Sequence, residues 1–423
     1  MKKDNVLQSY NDAKEQYAAL GVDTDAALKK LDQVKISLHC WQADDVGGFE
    51  TPDAELGSGG GIQATGNYPG KAKTIDQLIQ DIDKVMSLLP GSQRLNLHAI
   101  YGDFKGEKVD RNQIEVKHFQ RWIDWAKKNK TGIDFNPTCF SHPYAADGYT
   151  LSSKNEDYRK FWVEHVKRTR KIAAEMGKQL GTPSVNNIWI HDGSKDLPVD
   201  RNAHRAILKK SLDEIFLEDY PKEYLKDSLE PKLFGIGLEA MTVGSAEFYL
   251  AYATRSKKLM CLDNGHFHPT EQVGDKISAV LQFLDEILLH ITRPIRWDSD
   301  HVVIFNDDLQ LIAQEIVRCN ALSRVKVGLD YFDASLNRIG AYVIGTRAAQ
   351  LAFLYALLEP YETLKKYEEA GQSFERLALM EVMKTKPLGA VYNYYCLTNN
   401  VPVAEDYIAV IQQYEKDVLS KRV

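Results

Sequence analysis

The sequence predicts an α/β protein whose main part is a closed (β/α)8 barrel, the TIM-barrel architecture, followed by a C-terminal helical extension. Short apolar runs alternate along the chain with amphipathic stretches of helical length. This alternation favours a parallel sheet with its helices on the outside. There are about eight such units, and that number favours a closed barrel over an open, doubly wound sheet.

The predicted elements follow one another in a regular order. The eight predicted strands are residues 35–41, 94–101, 132–136, 188–191, 226–232, 258–263, 287–292 and 325–330. Helices are predicted at residues 76–89, 119–128, 158–176, 245–253, 273–286 and 309–319, and a last one at 338–358 closes the series. We therefore expect an N-terminal helical segment at residues 1–34, a catalytic barrel at 35–360 and the helical extension at 361–423.

Two segments do not belong to the repeating units. Residues 47–70 are rich in glycine but lack the lysine and the helix start of a phosphate-binding loop. A mobile loop over the mouth of the barrel is the better interpretation. The extension is helical in pattern and rich in tyrosine, and two interpretations of it stay open: an arm that packs onto another subunit, or an additional helical layer on the same chain.

The composition is that of an ordinary globular protein. The 423 residues are 44% hydrophobic and 26% charged, which excludes disordered and fibrous chains and allows a large core. The formal net charge of −6 argues against a nucleic-acid partner. Five cysteines, an odd number without a CxxC motif, favour a reduced, cytoplasmic protein. No apolar stretch approaches the roughly 18–20 residues of a membrane span, so we expect no membrane partner.

Acidic and histidine side chains gather at the ends of the last four predicted strands. These residues are Glu230, Asp263, His266, His290, Asp298, Asp300 and Asp330. In (β/α)8 barrels the chemistry lies at the C-terminal ends of the strands. Five carboxylates at one rim cannot all be ionised side by side unless cations are near, and a buried carboxylate must be paired, protonated or metal-bound. Two divalent ions would offset four of the five charges.

The spacing of these residues suggests how they divide between two ions. Asp298 and Asp300 are two residues apart and point the same way in extended chain. Asp263 and His266 can face one site across an Asn-Gly turn. Mixed carboxylate and imidazole ligands suit Mn²⁺, Co²⁺, Zn²⁺ or Mg²⁺. We predict one site of Glu230, Asp263, His290 and Asp330, and a neighbouring site of His266, Asp298 and Asp300.

Each of these residues also has a simpler interpretation. His290 by itself would be a core histidine. The run from Asp298 to Asp300 would by itself be a solvated loop or a helix N-cap. The shared location of all these residues at successive strand ends favours metal binding.

Earlier strands add candidates for contacts with a substrate. His98 lies toward the end of the second predicted strand, Trp41 ends the first, and Trp189 and His191 end the fourth. Aromatic rings beside a metal pair can form a wall for a sugar, because the C–H faces of sugars pack on aromatic rings. The alternative, that Trp41 and Trp189 only fill the core, stays open.

Four sequence blocks resemble the L-rhamnose isomerase family. They are GGGIQATGNYPGKA at 59–72, CLDNGHFHPTE at 261–271, RPIRWDSDHVV at 293–303 and GLDYFDAS at 328–335. The family is related to the xylose isomerase barrels. The resemblance implies an aldose–ketose isomerase that interconverts L-rhamnose and L-rhamnulose, the first step of rhamnose catabolism. It also implies two divalent ions per chain, preferably Mn²⁺, and a homotetramer.

The resemblance also implies roles for individual residues. The group of Glu230, Asp263, His290 and Asp330 resembles the ligands of the substrate-positioning metal, and the group of His266, Asp298 and Asp300 those of the catalytic metal. Lys232 resembles a lysine that steadies a substrate oxygen, and His98 a histidine near the ring oxygen. Asp330 is a candidate acceptor for the O2 proton, and hydrogen would move as hydride from C2 to C1.

Three competing functions stay open on the sequence. One is a metal-dependent epimerase or aldolase on the same barrel, because a fold does not fix a reaction. A second is a phosphodiesterase-like barrel that acts on DNA, although the acidic charge balance argues against it. The third is a non-catalytic protein in which the metals only hold the fold.

Overall fold

The computed structural model describes residues 2–50 and 64–422. Most of the predicted glycine-rich loop, including the run from residue 57 to 61, lies outside the described residues, as do the first five residues of the block at 59–72. The prediction of a loop over the barrel mouth therefore stays a prediction.

Eight parallel strands form a closed barrel, which confirms the predicted fold. The strands are β1 (Ile36–His39), β2 (Arg94–His98), β3 (Ile133–Asn136), β4 (Ser184–Trp189), β5 (Leu225–Glu230), β6 (Leu259–Asp263), β7 (Ile287–Ile291) and β8 (Val325–Leu329). Each strand pairs in parallel with the next along the chain, and β8 pairs with β1. All eight predicted strands are present, but β4 begins four residues earlier than predicted.

In the described part of the chain, ten α-helices accompany the barrel and four more form the extension. The first ten are α1 (Lys3–Ala18), α2 (Thr24–Leu31), α3 (Ile75–Met86), α4 (Gln120–Asn129), α5 (Glu156–Leu180), α6 (Arg201–Ile215), α7 (Ala246–Ser256), α8 (Val273–Val280), α9 (Asp307–Arg318) and α10 (Arg338–Leu357). The last four are α11 (Tyr361–Glu369), α12 (Ser373–Met383), α13 (Leu388–Thr398) and α14 (Asp406–Asp417). Gly193–Ser194 and Met241–Thr242 form a short antiparallel ribbon beside the barrel. Single turns of 3₁₀ helix occur at Trp41–Ala43, Ala99–Tyr101, Arg111–Gln113, Val116–Phe119, Pro143–Ala145 and Leu419–Lys421.

Local side-chain chemistry sets the ends of α5, the longest helix. The Asn155 side chain accepts hydrogen bonds from the N–H groups of Asp157 and Tyr158 and so caps the first turn. Gly181 ends the helix in the left-handed region, with φ of 67°, where a residue without a side chain is favoured. The sequence pattern alone placed this helix between residues 158 and 176, inside its true bounds.

Two helices differ from the sequence-based expectation. The pattern did not predict α6, because its buried face consists of only Leu208, Leu212 and Ile215 with two polar residues. The helix predicted at 273–286 ends at Val280, and Phe283, beyond it, is 72% exposed. An apolar residue in a loop therefore extended the predicted helix too far.

The helix α10 is buried on almost every face. It packs against β1 and α9 on one side and against α2, α3, α13 and α14 on the others. A helix that is apolar all round belongs in the interior of a protein. No single helix among residues 2–50 and 64–422 is long and apolar enough to cross a membrane; only α10 and α11 together reach that length, as a pair bent by 56°.

The extension packs onto the N-terminal helices of the same chain. The rings of Tyr10 in α1 and Tyr394 in α13 stack with their centroids 3.8 Å apart. The Tyr395 hydroxyl donates to Asp32 Oδ1 over 2.7 Å. Near the end of the chain, Arg422 donates to the buried Asp81 of α3 over 2.6 Å. The two ends of the chain thus form one helical layer behind the barrel.

Candidate active site

Four side chains converge at the ends of β5 to β8. The register places His290 of β7 beside Asp263 of β6 and Gly328 of β8. His290 Nδ1 lies 3.4 Å from Glu230 Oε1, 3.8 Å from Asp263 Oδ2 and 3.2 Å from Asp330 Oδ2. One ligand atom from each of these four residues lies within 4.8 Å of the others. We call them the first metal group; its members are the four residues predicted for one site.

A second metal group adjoins the first. It consists of Asp263, His266 and Asp298, whose ligand atoms also lie within 4.8 Å of one another. His266 Nε2 is 3.1 Å from Asp298 Oδ2. Asp263 belongs to both groups, a sharing that the sequence did not predict. Asp300 lines the same pocket, and its Oδ1 accepts a hydrogen bond of 3.4 Å from Thr292, but its carboxylate lies outside both groups.

A turn after β6 orients Asp263 and His266 of the second metal group. The N–H of Gly265 donates to Asp263 Oδ1 over 2.6 Å, which closes the Asn-Gly turn. The ring of His266 lies with Nδ1 2.9 Å from the carbonyl of Pro231. A carbonyl can only accept, so Nδ1 carries the proton in this bond and Nε2 is left as the atom that faces Asp298.

The loop after β7 brings Asp298 and Asp300 inward. Arg293 and His301 pair in an antiparallel bridge, with hydrogen bonds of 3.2 and 3.3 Å, so the residues between them form a closed loop. Within it, Arg296 and Asp300 have positive φ values of 71° and 45°. Non-glycine residues adopt this conformation uncommonly, and Asp is among those that adopt it more often.

Several buried ligand atoms have no hydrogen-bond partner among the described residues. They are Glu230 Oε1, Asp263 Oδ2, His290 Nδ1, Asp298 Oδ1 and Asp330 Oδ1. Leaving buried polar atoms unpaired is costly, and such atoms are rare in native structures. Five such atoms in the two adjoining metal groups, four of them carboxylate oxygens, fit bound cations. The residues present therefore suit divalent metal ions.

The charges of the site depend strongly on one another. Burial, together with Glu230, Asp298 and Asp330 and against the effect of His266, raises the pKa of Asp263 to about 7. Burial raises the pKa of Asp300, and the carboxylates of Asp298 and Asp330 raise it further. Nearby carboxylates thus favour protonation of one another in the absence of cations, which is the physical basis of the predicted metal requirement.

Lys232 lies beside the second metal group. Its Nζ is 2.5 Å from Asp298 Oδ2, 3.3 Å from His266 Nε2 and 5.3 Å from the ring centroid of Trp189. Against the effect of burial, Asp298 and Asp300 raise the pKa of Lys232, so the ammonium group keeps its charge. The structure thus holds a cation and an aromatic face at the same wall of the pocket.

The opposite wall of the pocket contains His98. Its ring lies 4.1 Å from that of Trp41, and its Nδ1 is 3.1 Å from Thr138 Oγ1. Burial, helped by the charge of His290, lowers the pKa of His98 to about 3, so the ring is neutral at physiological pH. His191, the other histidine named from the fourth strand, contacts the carbonyl of Cys139 instead and does not line the pocket.

A pocket lies between these walls. All the sequence-predicted residues of the site line it except His191 and Asp263, and Asp263 is a member of both metal groups. A pocket with two carboxylate–imidazole groups on one side and aromatic rings on the other suits a small polyhydroxylated molecule.

Comparison with known proteins identifies the family. Residues 4–422 match the family model of L-rhamnose isomerase (RhaA). The chain belongs to the L-rhamnose isomerase family. An L-rhamnose isomerase of Bacteroides thetaiotaomicron is 56% identical over 423 residues, which cover 100% of both chains. One from Rhodopirellula baltica is 54% identical and covers 99% of this chain and 97% of its own. One from Escherichia coli K12 is 52% identical over 98% of each chain. The protein is therefore an enzyme of the isomerase class.

In this member of the L-rhamnose isomerase family, some residues that line the pocket were not predicted from the sequence. Asn187 of β4 donates from Nδ2 to Glu230 Oε2. This bond orients the Glu230 carboxylate so that its other oxygen, Oε1, faces His290 in the first metal group. Asn136, Thr138, Phe140 and Phe332 also line the pocket. A signal for Asn187 existed, because it stands two residues before Trp189 and so shares its face of the strand.

Proposed function

We propose that this enzyme interconverts L-rhamnose and L-rhamnulose, the first step of rhamnose catabolism, with one divalent ion on each metal group. The observation that carries the proposal is the pair of carboxylate–imidazole groups joined by Asp263 at the mouth of the barrel. Relatives that match nearly the whole chain at 52–56% identity bear the name of this activity.

We propose Mn²⁺ as the ion, with Co²⁺, Zn²⁺ or Mg²⁺ as substitutes. The first metal group would hold one ion and the second metal group the other, with Asp300, which lines the same pocket, as an additional ligand of the second ion. Oxygen and imidazole donors without thiolate suit these ions. When bound, such ions act as Lewis acids that polarise a carbonyl and lower the pKa of a hydroxyl.

Lys232 and Asp330 carry the isomerisation step of the proposal. Asp330 lines the pocket and accepts the proton of the O2 hydroxyl. Hydrogen then moves with its electron pair from C2 to C1, so that C2 becomes the carbonyl and O1 becomes negative. The ammonium group of Lys232 stabilises the charge that grows on O1. The proton held by Asp330 finally returns to O1, and the reaction consumes no other reactant.

His98 is proposed to handle the protons of ring opening. Ring opening removes a proton from the O1 hydroxyl and delivers one to the ring oxygen. A neutral imidazole has one donor and one acceptor nitrogen and suits both tasks. Its low pKa keeps it neutral, and Thr138 and Trp41 hold the ring in place. Trp189 and Trp41 would pack on the C–H faces of the sugar.

Activity with and without metal tests the proposed function. The purified chain, stripped with a chelator and given back Mn²⁺, should convert L-rhamnose to a ketose that carbon-13 NMR identifies as L-rhamnulose. The stripped chain should show no conversion. A product epimeric at another carbon, or cleavage of the sugar, would instead support an epimerase or an aldolase.

The route of the hydrogen has its own test. The reaction is run to equilibrium in D₂O and both sugars are recovered. A hydride shift keeps hydrogen on carbon, so neither C1 of the ketose nor C2 of the aldose should gain deuterium. Extensive deuterium at either carbon would contradict the shift and favour an enediol route.

We propose further that the chain forms a homotetramer in the cytoplasm. The five free cysteines support the cytoplasmic location. The apolar side chains that α12 exposes support assembly: Phe374 is 78% exposed, Leu377 60% and Val382 46%. Such a patch is typical of a contact surface, and we propose that the extension takes part in assembly. Light scattering should give four chains per particle, and replacing Phe374 and Leu377 by Ser should reduce that number.

A further inference from the structure

A cavity lies inside the barrel beneath the first metal group. The whole cavity has a volume of about 340 Å³ and extends outward as far as Ile316 of α9 and Phe353 of α10. Inside the barrel its lining includes Ser37, Asn96, Asn187, His290 and Gly328, one residue from each of five strands. Layers of large branched side chains normally fill the interior of such a barrel. In this chain, small and polar side chains occupy several inward positions and leave the space open. We call this space the lumen cavity.

Two side chains form the wall between the lumen cavity and the active-site pocket, because Asn187 and His290 line both. Asn187 donates to Glu230 from Nδ2, but its own Oδ1 is buried without a hydrogen-bond partner among the described residues. His290 turns Nδ1 toward the carboxylates of Glu230 and Asp330. Its other nitrogen, Nε2, lies on the side of Gly328: a Cβ atom at residue 328 would be 3.5 Å from Nε2 and 3.2 Å from Cδ2.

A histidine that binds a metal through one nitrogen almost always donates its other N–H to a carboxylate, a carbonyl or water, and that outer partner strengthens metal binding. The carboxylates around His290 all face Nδ1. The thiol of Cys261 lies within 4.8 Å of a ring nitrogen of His290, and sulfur is only a weak acceptor. Polar cavities large enough for water, with two or more polar partners, hold it.

We propose that ordered water in the lumen cavity accepts the N–H of His290 Nε2, donates to Asn187 Oδ1, and so holds both side chains in the orientation that the first metal group needs. The inference rests on the proposed function, since it requires an ion on that group. It makes the interior of the barrel part of the metal site and gives Gly328 a role: the absence of a side chain leaves room for the water.

Two substitutions of Gly328 separate the loss of water from steric pressure. Gly328→Ala adds a methyl group that competes with water beside Nε2. Gly328→Ser adds the same Cβ and a hydroxyl that can accept the N–H in place of water. Free Mn²⁺ is measured by electron paramagnetic resonance during titration of the full chain. We expect Gly328→Ala to raise the dissociation constant of one Mn²⁺ by about 10- to 100-fold, and Gly328→Ser to stay within about threefold of the wild type.

Cys261→Ala is the matched control, because it alters the other neighbour of the ring and leaves the water in place. It should leave Mn²⁺ affinity within about threefold of the wild type. If Gly328→Ala and Gly328→Ser weaken Mn²⁺ binding equally, the added Cβ displaces the imidazole. If both variants bind Mn²⁺ as tightly as the wild type, Nε2 needs no water. Weakening by Cys261→Ala alone would make the thiol the partner. Each of these three results overturns the inference.

The wild-type protein provides a second test that does not depend on the folding of a variant. A crystal structure with Mn²⁺ should have solvent density within hydrogen-bond distance, about 2.7–3.2 Å, of His290 Nε2. A dry lumen cavity would overturn the inference while leaving the proposed function intact. Failure of the wild-type chain to bind Mn²⁺ would overturn the proposed function, and this inference with it.

Discussion

Replacing Lys232 with Met tests the central electrostatic step of the proposed reaction. The side chain is only 11% exposed, and its Nζ lies 2.5 Å from Asp298 Oδ2 and 3.3 Å from His266 Nε2. Met preserves much of the length and the apolar stem of lysine and removes the charge. The substitution should therefore change the electrostatics of the pocket more than its shape.

The expected size of the effect follows from Coulomb's law. With an effective dielectric constant of about 20, an ammonium group stabilises a unit charge about 3 Å away by about 5.5 kcal/mol. If O1 carries about half a charge in the transition state, the contribution is about 2.7 kcal/mol, which corresponds to roughly a 100-fold loss of kcat. Removal of one donor from an oxyanion site has effects of similar size.

Metal binding should respond in the opposite direction. Lys232 neutralises Asp298 in the absence of metal and competes with an ion for its carboxylate, so Lys232→Met should bind Mn²⁺ at least as tightly as the wild type. The assay is the initial rate of ketose formation at saturating Mn²⁺, with bound metal measured by elemental analysis. Lys226→Met is the matched control, because Lys226 lies at the start of β5, Lys232 follows the end of that strand, and Lys226 pairs with Glu286 at the far end of the barrel.

A Lys232→Met variant that retains its metal and a kcat within about threefold of the wild type would refute the assigned role. So would a variant that loses activity only because it loses metal, since the lysine would then be a structural part of the metal site. The control should keep the wild-type kcat.

Three other predictions concern stability. The protein with Mn²⁺ at 100 times the dissociation constant should have an unfolding free energy about 2.7 kcal/mol higher than the chelated protein. A melting temperature that does not change when chelator is added would contradict this. Arg422→Met should lower the unfolding free energy measured in urea by about 3 kcal/mol, because it leaves the carboxylate of Asp81, which is 1% exposed, without its cation. The control Lys421→Met should lower it little. Equal losses in the two variants would disprove the explanation. Burial raises the pKa of Asp44 to about 7, so this residue holds its proton in the folded chain while the unfolded chain releases it near pH 4. The contribution of Asp44 to stability should therefore fall as the pH rises from about 4 to 7. Asp44→Asn should abolish that fall in the unfolding free energy. If the unfolding free energies of wild type and variant differed by the same amount at every pH, the assigned role of Asp44 would be wrong.

The barrel could be predicted from the sequence because most of its strands are apolar runs between amphipathic helices. The same contrast made the site visible: charged side chains such as His290 and Asp330 are conspicuous beside leucine and valine. The blocks that resemble the L-rhamnose isomerase family, together with this contrast, led to the correct family.

Other features depend on distances that a linear pattern does not contain. The start of β4 was missed because Ser184, Asn186 and Asn187 make it look like a loop, although they are buried in the barrel wall. The sharing of Asp263 between the metal groups and the position of Asp300 outside them are visible only from interatomic distances in three dimensions. Polar residues inside a barrel are hard to distinguish from surface residues without the structure.

The enclosure of α10 has a consequence for the order of events during translation. Its covering helices come from both ends of the chain: α2 and α3 leave the ribosome long before it, and α13 and α14 only after it. A nascent chain can therefore complete all eight strands while the face of α10 that α13 and α14 cover is still exposed. Until the residues after 360 emerge, this apolar face is open to chaperones and proteases, so a truncation that removes α13 and α14 should destabilise the barrel that precedes them.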